Sequence, residues 1–281
     1  MNNISEEVYL FNFPLNIMAV DDDTDYLELL HHNLADMTLT TCNSTTEAMK
    51  ILDPININTK NFLETNFSGI HDLNYKNIED FVKNFGSKHG ILISDYNMPN
   101  INGIEFLSKY SNTDLIKILL TNVYTNNEAV YALNKKLIHY YLPKEDVSSL
   151  ENVIKEHQKL LFKNITKNIL SFLDMDNLSF LSDKAYSYIL NTICQKHNII
   201  KYYILNSNGS YYLENKEEKF IFSIYSPTDL IEIAKEVSKK ENNNVRQGNL
   251  IPSYFYNETT TCKLIAAEKY GNYSYCIEKL A

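Results

Sequence analysis

Short apolar runs alternate with stretches of helical spacing over residues 16–146. Five runs predict buried strands, at 17–20, 38–42, 91–94, 117–120 and 138–142. Between them, apolar residues recur three or four positions apart, which indicates amphipathic helices. Strands that alternate with helices predict a parallel sheet with right-handed crossovers. Five such units fit a flavodoxin-like, doubly wound α/β fold with strand order 2-1-3-4-5.

Two segments lie outside this repeat. Residues 1–15 read as an N-terminal arm, and residues 53–89 form an insertion longer than a short connection requires. Ile78, Phe81 and Phe85 follow helical spacing, so we expect the insertion to be partly helical. We favour a purely structural role for the insertion, packing against the rest of the domain. A dimer contact and a kinase-docking surface stay open as alternatives.

The pattern changes again after residue 146. No Gly or Pro occurs from Lys144 to Phe172, and the apolar spacing predicts a helical linker over 147–173 that can also serve as a dimer seam. An ordinary last helix followed by a second packed helix is the alternative. Residues 174–281 predict a small α+β domain with an antiparallel sheet, because hairpin turns occur at Asn208-Gly209 and Gly271-Asn272.

Charge and composition narrow the class of protein. The net charge is −9, and it falls wholly on residues 1–164, whereas residues 165–281 are neutral. The chain contains a single arginine, Arg246, so the basic signature of a DNA-reading domain is absent and DNA binding is unsupported. No apolar run approaches the ~18 residues that span a bilayer. Four dispersed cysteines without a CxxC pair indicate reduced thiols and a cytoplasmic protein.

Polar side chains follow four of the predicted strands at the point where each strand ends. Asp21 and Asp22 follow the first strand, Asp95 the third, Thr121 the fourth and Lys144 the fifth. The carboxyl ends of parallel strands converge on one crevice, so we expect these groups to lie together. Because close carboxylates repel one another, a hard divalent cation is expected there, and Mg²⁺ suits oxygen ligands.

These residues, together with Met98-Pro99 and with Gly103 eight positions after Asp95, resemble the receiver domain of bacterial two-component response regulators. The resemblance implies that Asp95 accepts a phosphoryl group from a sensor histidine kinase. It also implies that Asp22, Asp95 and the backbone carbonyl of Asn97 bind Mg²⁺ directly, with Asp21 acting through water.

The same resemblance implies a switch. Lys144 would pair with the Asp95 carboxylate and then with a phosphoryl oxygen, Thr121 would donate its hydroxyl to another, and Tyr141 would turn into the space that Thr121 vacates. We expect phosphorylation to favour a homodimer through the face of the fourth helix, the fifth strand and the following helix. Two residues depart from the family pattern: Asn122 replaces a small residue, and Glu145 replaces a proline.

The second half is similar to the uncharacterised output region of a small group of response regulators, through the run FLSDKAYSYILNTICQKHNIIKYYILNSNGSYYLE. That group is often associated with membrane sensor kinases, including quorum-sensing systems. We therefore expect a signalling protein rather than an enzyme. Three alternatives remain. The output domain could be a receiver-gated small-molecule sensor or an enzyme, which a deep polar pocket would favour, or it could be a protein-interaction module. The chain could instead be a haloacid-dehalogenase-like phosphatase using Asp21 and Asp23, which would leave Asp95 unexplained.

Overall fold

The computed structural model describes residues 8–52, 59–67, 74–111, 113–122, 127–171, 180–253 and 264–280. The chain forms two compact units. The parallel-sheet unit comprises Pro14–Ser68 and Asp80–Ile169. The antiparallel-sheet unit comprises Met1–Phe13, Gly69–Glu79 and Leu170–Ala281.

The described residues form strands and helices in the following order along the chain. The strands are β1 (Phe11–Asn12), β2 (Asn16–Val20), β3 (Leu39–Cys42), β4 (His89–Asp95), β5 (Ile116–Thr121), β6 (Tyr140–Pro143), β7 (Lys201–Ile204), β8 (Tyr211–Glu214), β9 (Lys219–Tyr225), β10 (Leu250–Pro252), β11 (Leu264–Ala266), β12 (Glu268–Tyr270) and β13 (Tyr273–Lys279). The α-helices are α1 (Thr24–Asn33), α2 (Thr45–Leu52), α3 (Thr59–Phe67), α4 (Tyr75–Gly86), α5 (Gly103–Ser108), α6 (Asn127–Asn134), α7 (Leu150–Ser171), α8 (Lys184–Lys196), α9 (Pro227–Glu236) and α10 (Lys239–Arg246).

The parallel-sheet unit is built on five strands in the order β3-β2-β4-β5-β6. All four pairings are parallel, and the predicted flavodoxin-like order is confirmed. All six residues of β5, and all but the first of β4, are buried. Central strands of a parallel sheet are covered on both faces, which explains why these two read as continuous apolar runs rather than as alternating ones. Both strands extend one residue further than predicted at their carboxyl ends, so Asp95 and Thr121 are the last residues of strands.

The described part of the insertion is helical, as predicted. Helix α3 and helix α4 occupy it, while residues 53–58 and 68–73 lie outside the described residues. The apolar side of α4 is buried, and the ring of Phe81 packs against those of Phe62 and Phe85 with centroids 5.2 and 5.1 Å away. Since aromatic rings bury large apolar areas, these contacts fix α4 in place.

The helix predicted from Val147 begins slightly later. Lys144–Ser149 form a 3₁₀ turn with a non-helical residue at Asp146, and α7 starts at Leu150. Buried side chains recur along α7 from Leu150 to Ile169, and these residues belong to the parallel-sheet unit. Most of the segment predicted as a linker therefore packs as part of that unit. Residues 172 and 173 lie outside the described residues.

The antiparallel-sheet unit contains a six-stranded sheet in the order β1-β7-β8-β9-β13-β12 and a separate β10-β11 pair. The predicted hairpins form as β7-β8 and β12-β13. Residues assigned from sequence to an N-terminal arm include β1, which pairs with β7 through Phe11 and Tyr203. Phe11 is fully buried, so the apolar end of the arm is part of this unit's core. Two paired residues are too few to show a strand period in the sequence.

No disulfide links Cys42, Cys194 and Cys276, the three cysteines within the described residues. Among the helices of the described residues, none combines the length and the apolar character needed to cross a bilayer.

Candidate functional site

Three carboxylates meet at the carboxyl end of the parallel sheet. Strands β2 and β4 pair through Val20 and Ser94, so the residues that follow them, Asp21 and Asp95, are adjacent. One carboxylate oxygen from each of Asp21, Asp22 and Asp95 lies within 4.8 Å of the others. Asp21 and Asp95 are only 1% and 3% exposed, whereas Asp22 is exposed. The cluster therefore has two buried members and one that opens to solvent.

The Lys144 ammonium joins two of these acids. It lies directly after β6, and its Nζ is 2.7 Å from Oδ2 of Asp21 and 3.0 Å from Oδ1 of Asp95. Within the described residues, neither oxygen has a hydrogen-bond partner beyond this ion pair. The other oxygen of Asp21, Oδ1, accepts a hydrogen bond from the Asp23 amide at 3.0 Å. The sequence predicted this convergence of acids and lysine, and the structure brings the four side chains together.

The electrostatics of the cluster favour an additional cation. Burial raises the pKa of Asp21 above its usual range, although Lys144 acts in the opposite direction. Burial alone would lower the pKa of Lys144, but its two carboxylate partners together raise it. Three carboxylates face one ammonium, so the site carries a negative excess that a bound divalent cation would offset.

Tyr26 belongs to the site although no sequence pattern marks it. Its ring centroid lies 4.5 Å from Nζ of Lys144, and its hydroxyl donates to the backbone carbonyl oxygen of Lys144 at 3.2 Å. A cation over an aromatic face is attracted by the ring quadrupole, so Tyr26 helps to position the ammonium. Burial, together with the charges of Asp21 and Asp95, raises the pKa of the Tyr26 hydroxyl. The sequence showed Tyr26 only as an apolar position of α1.

Gly103 has a steric reason to be glycine. A Cβ at this position would lie 2.0 Å from the backbone carbonyl oxygen of Asp95. The Gly103 amide donates to the carbonyl of Tyr96 at 2.9 Å, and Asn102 caps the start of α5. This close approach folds the loop after Asp95 back onto the strand. Asn97 lies in that loop and is exposed, and the proposed role of its carbonyl stays a prediction.

Thr121 and Tyr141 lie on neighbouring strands. Thr121 is the last residue of β5 and is fully buried, and Tyr141 is half-buried in β6. Leu119 pairs with Tyr141, and Thr121 pairs with Pro143. Alternate residues of a strand point to the same face, so Thr121 and Tyr141 share one face of the sheet. The switch assigned to them from sequence stays a prediction. Residues 123–126, which follow β5, lie outside the described residues.

The position of Asp23 bears on the phosphatase alternative. Its Oδ1 accepts hydrogen bonds from the amides of Asp25 and Tyr26 at 3.0 and 3.2 Å, so it caps α1. Asp23 does not belong to the cluster of Asp21, Asp22 and Asp95 among the described residues. A haloacid-dehalogenase-like site would use Asp21 and Asp23 together, so this geometry does not support it.

No protein-family model and no curated protein matches the sequence. Among solved structures, the chain is similar to the Legionella pneumophila response regulator LqsR, with 22% identity and a TM-score of 0.72 over 98% of this chain and 90% of that chain. It is also similar to the Vibrio cholerae chemotaxis protein CheY4, at 17% identity over 51% of this chain and 98% of that chain, with a TM-score of 0.37. The Francisella response regulator 1452 receiver domain matches at 17% identity over 53% of this chain and 98% of that chain, with a TM-score of 0.36.

The likeness to LqsR extends over nearly the whole chain, so the chain shares the fold of that response regulator. The resemblance stated from the sequence is confirmed at the level of the fold.

Proposed function

We propose that this chain is a response regulator of a two-component system and that Asp95 accepts a phosphoryl group from a sensor histidine kinase. The observation that supports this most directly is the joint contact of Lys144 with Asp95 and Asp21 at the switch point of a receiver fold. We further propose that the chain acts in the cytoplasm and signals rather than turning over a substrate. The second half is similar to the output region of response regulators that are often associated with membrane sensor kinases, including quorum-sensing systems. We therefore propose a kinase of that kind.

The acidic cluster fits Mg²⁺. All its donors are hard oxygen atoms, and three carboxylate oxygens lie within 4.8 Å of one another. Two of the acids are buried and share a single ammonium as counter-charge. Asp21, Asp22, Asp95 and the backbone carbonyl of Asn97 would hold the ion. When bound, Mg²⁺ neutralises negative charge on the oxygens of the transferring phosphoryl group.

The residues of the chain perform the transfer by position and charge. A carboxylate oxygen of Asp95 forms a bond to phosphorus while the phosphorus–nitrogen bond of the phosphohistidine breaks, and that bond's electron pair stays with the imidazole nitrogen. Lys144, already 3.0 Å from Asp95, would shift its ammonium to a phosphoryl oxygen. Tyr26 keeps that ammonium over its ring and so limits its motion. In such a loose transfer, positioning and electrostatic stabilisation provide nearly all the catalysis.

A face of the parallel-sheet unit supports the proposed dimer. Large apolar side chains are exposed on α6, β6 and α7: Val130 is 42% exposed, Tyr131 60%, Tyr140 36% and Leu160 54%. Exposed apolar groups on neighbouring elements can form an interaction surface. We propose that phosphorylation draws Thr121 towards the phosphoryl group and turns Tyr141, which shifts an existing equilibrium towards a symmetric homodimer through this face.

Sedimentation with beryllofluoride and Mg²⁺ tests this function. Beryllofluoride stands in for the phosphoryl group on an aspartate, so we expect it to bind the native chain and to increase the dimer fraction. Asp95→Asn should abolish both effects, and Asp22→Asn should weaken Mg²⁺ binding and so reduce both effects at a given Mg²⁺ concentration. The variant Tyr131→Ser should bind beryllofluoride but dimerise less. Binding of beryllofluoride to the native chain with no change in sedimentation would refute the dimer mechanism alone. Equal binding to Asp95→Asn would refute the phospho-acceptor assignment.

A further inference from the structure

The antiparallel-sheet unit contains a polar cavity of about 450 Å³. It is formed where the turn between β7 and β8, the start of α8, the start of α9 and the start of β13 come together. The lining includes two carboxylates, Asp183 and Asp229, three serine hydroxyls and two aromatic rings, Phe180 and Tyr273. The cavity is large enough for a compound of metabolite size. The proposed phosphoryl transfer uses none of these residues.

The wall of the cavity is held by a connected set of side chains. Tyr186 is fully buried, and its hydroxyl donates to the carbonyl oxygen of Gly209. Its ring contacts Phe180 with centroids 4.8 Å apart and Tyr273 with centroids 5.9 Å apart. Gly209 has a φ of +86°, and a Cβ there would lie 2.8 Å from the Tyr186 hydroxyl. Such packing fixes the two aromatic rings that line the cavity, so the site is formed before any ligand enters.

Two helix N-termini point towards the cavity, yet their amides are already used. Oδ1 of Asp183 accepts from the amides of Ala185 and Tyr186 at 2.7 and 3.2 Å and caps α8. Oδ2 of Asp229 accepts from the Ser226 amide and hydroxyl, each at 2.7 Å, in the capping box of α9. Free helix N-termini attract anions, but here each presents an acid instead. An anionic ligand would therefore be repelled by a carboxylate at each of the two helix N-termini.

The charge balance of the cavity is negative. Each helix N-terminus contributes about half a positive charge, which offsets roughly half of the charge on the two carboxylates. No Lys, Arg or His among the described residues lines the cavity. Tyr273 reports the same environment: its hydroxyl donates to Oδ2 of Asp183 at 2.9 Å, and burial, followed by the nearby Asp183, raises its pKa to about 12.

We propose that this cavity binds a small organic cation, an amine whose ammonium group lies between Asp183 and Asp229 while its body packs against Phe180 and Tyr273. The carboxylates supply charge-assisted acceptors, and the aromatic faces attract a cation as well as apolar carbon. Ser182, Ser207 and Asn208, at the rim, can donate and accept hydrogen bonds with hydroxyl groups of the ligand. This site would make the antiparallel-sheet unit a small-molecule sensor, which goes beyond the proposed phosphoryl transfer.

Titration calorimetry of the full chain with three probes of similar size tests the proposal. Tyramine carries an aromatic ring and an ammonium group, N-acetyltyramine is uncharged, and 4-hydroxyphenylacetate is an anion. We expect one saturable site for tyramine, binding at least about tenfold weaker for the uncharged probe, and no binding of the anion. Absence of saturable tyramine binding, or equal binding of all three probes, would overturn the proposal.

Variants of the chain locate the site. Asp183→Asn and Asp229→Asn should each weaken tyramine binding about tenfold, because asparagine keeps an acceptor oxygen for the bonds at the helix N-terminus but carries no charge. Glu236→Gln removes an equal charge from an exposed position of α9 and should bind as the native chain does. A loss in Glu236→Gln as large as in Asp229→Asn would mean that the effect is non-specific and would overturn the site. Asp95→Asn should bind tyramine normally, which separates this result from the test of phosphoryl transfer.

Discussion

Replacing Lys144 by alanine should destabilise the folded protein by about 3–5 kcal/mol when no divalent cation is present. The ammonium lies 2.7 Å from Asp21 and 3.0 Å from Asp95, and its side chain is only 12% exposed. At an effective dielectric constant of about 20, each of these two pairs contributes on the order of 6 kcal/mol before desolvation is counted. Desolvation offsets much of that attraction, but removing the ammonium leaves two buried carboxylates with no counter-charge.

Urea denaturation in EDTA, followed by circular dichroism, measures this loss. Mg²⁺ should narrow the difference between Lys144→Ala and the native chain, because the ion neutralises the same carboxylates. Lys155→Ala is the matched control, since Lys155 and Glu151 form an exposed ion pair on α7 and such pairs contribute roughly 0.5 kcal/mol or less. If Lys144→Ala in EDTA were as stable as the control, the acids would not depend on this ammonium and our account of the site would fail.

Five further variants test individual contacts by the same denaturation assay. Tyr26→Phe keeps a ring over Lys144 but loses one hydrogen bond, so the free energy of unfolding should fall by about 1 kcal/mol. Tyr26→Leu loses the ring as well, and the free energy of unfolding should fall by about 1–2 kcal/mol more. Equal decreases in the two variants would exclude the cation–ring contact. Lys117 is 1% exposed, and burial lowers its pKa, so the folded state binds fewer protons than the unfolded state between that lowered value and 10.5. Native stability should therefore rise with pH through this window, and Lys117→Met should remove the rise; a persisting rise would contradict the assignment. Gly209→Ala should lower the free energy of unfolding by on the order of 3 kcal/mol, because its Cβ would overlap aromatic side chains. Gly271→Ala should lower it by only about 1–2 kcal/mol, for its positive φ, because the atom nearest to the added Cβ is 3.6 Å away. Similar decreases in the two variants would count against the packing described at the cavity.

The parallel sheet could be predicted because its strands carry their own signals. Buried strands such as β4 and β5 are continuous apolar runs, and a polar residue marks the end of each. Once the topology is known, the convergence of Asp21, Asp95 and Lys144 follows from chain order alone. Asp22 joins them as the neighbour of Asp21.

The remaining features depend on contacts between residues distant in sequence. Strand β1 is two residues long and forms because Phe11 is buried in a core made by residues some two hundred positions later. Tyr26 shows only as an apolar helix position until Lys144 is placed above its ring. The cavity also has no local signature. Asp183 is an ordinary N-cap and Asp229 belongs to an ordinary capping box, and only the tertiary fold brings the two together.

Covalent phosphorylation of Asp95 is the most direct test of the central claim. The full chain is incubated with acetyl phosphate and Mg²⁺, and intact mass spectrometry measures the product. We expect the gain of one phosphoryl group that hydroxylamine removes, no gain in EDTA and no gain in Asp95→Asn. Asp183→Asn, which lies in the other unit, should be labelled as the native chain is. Label that persists on Asp95→Asn, or a folded native chain that never gains a phosphoryl group, would contradict the account.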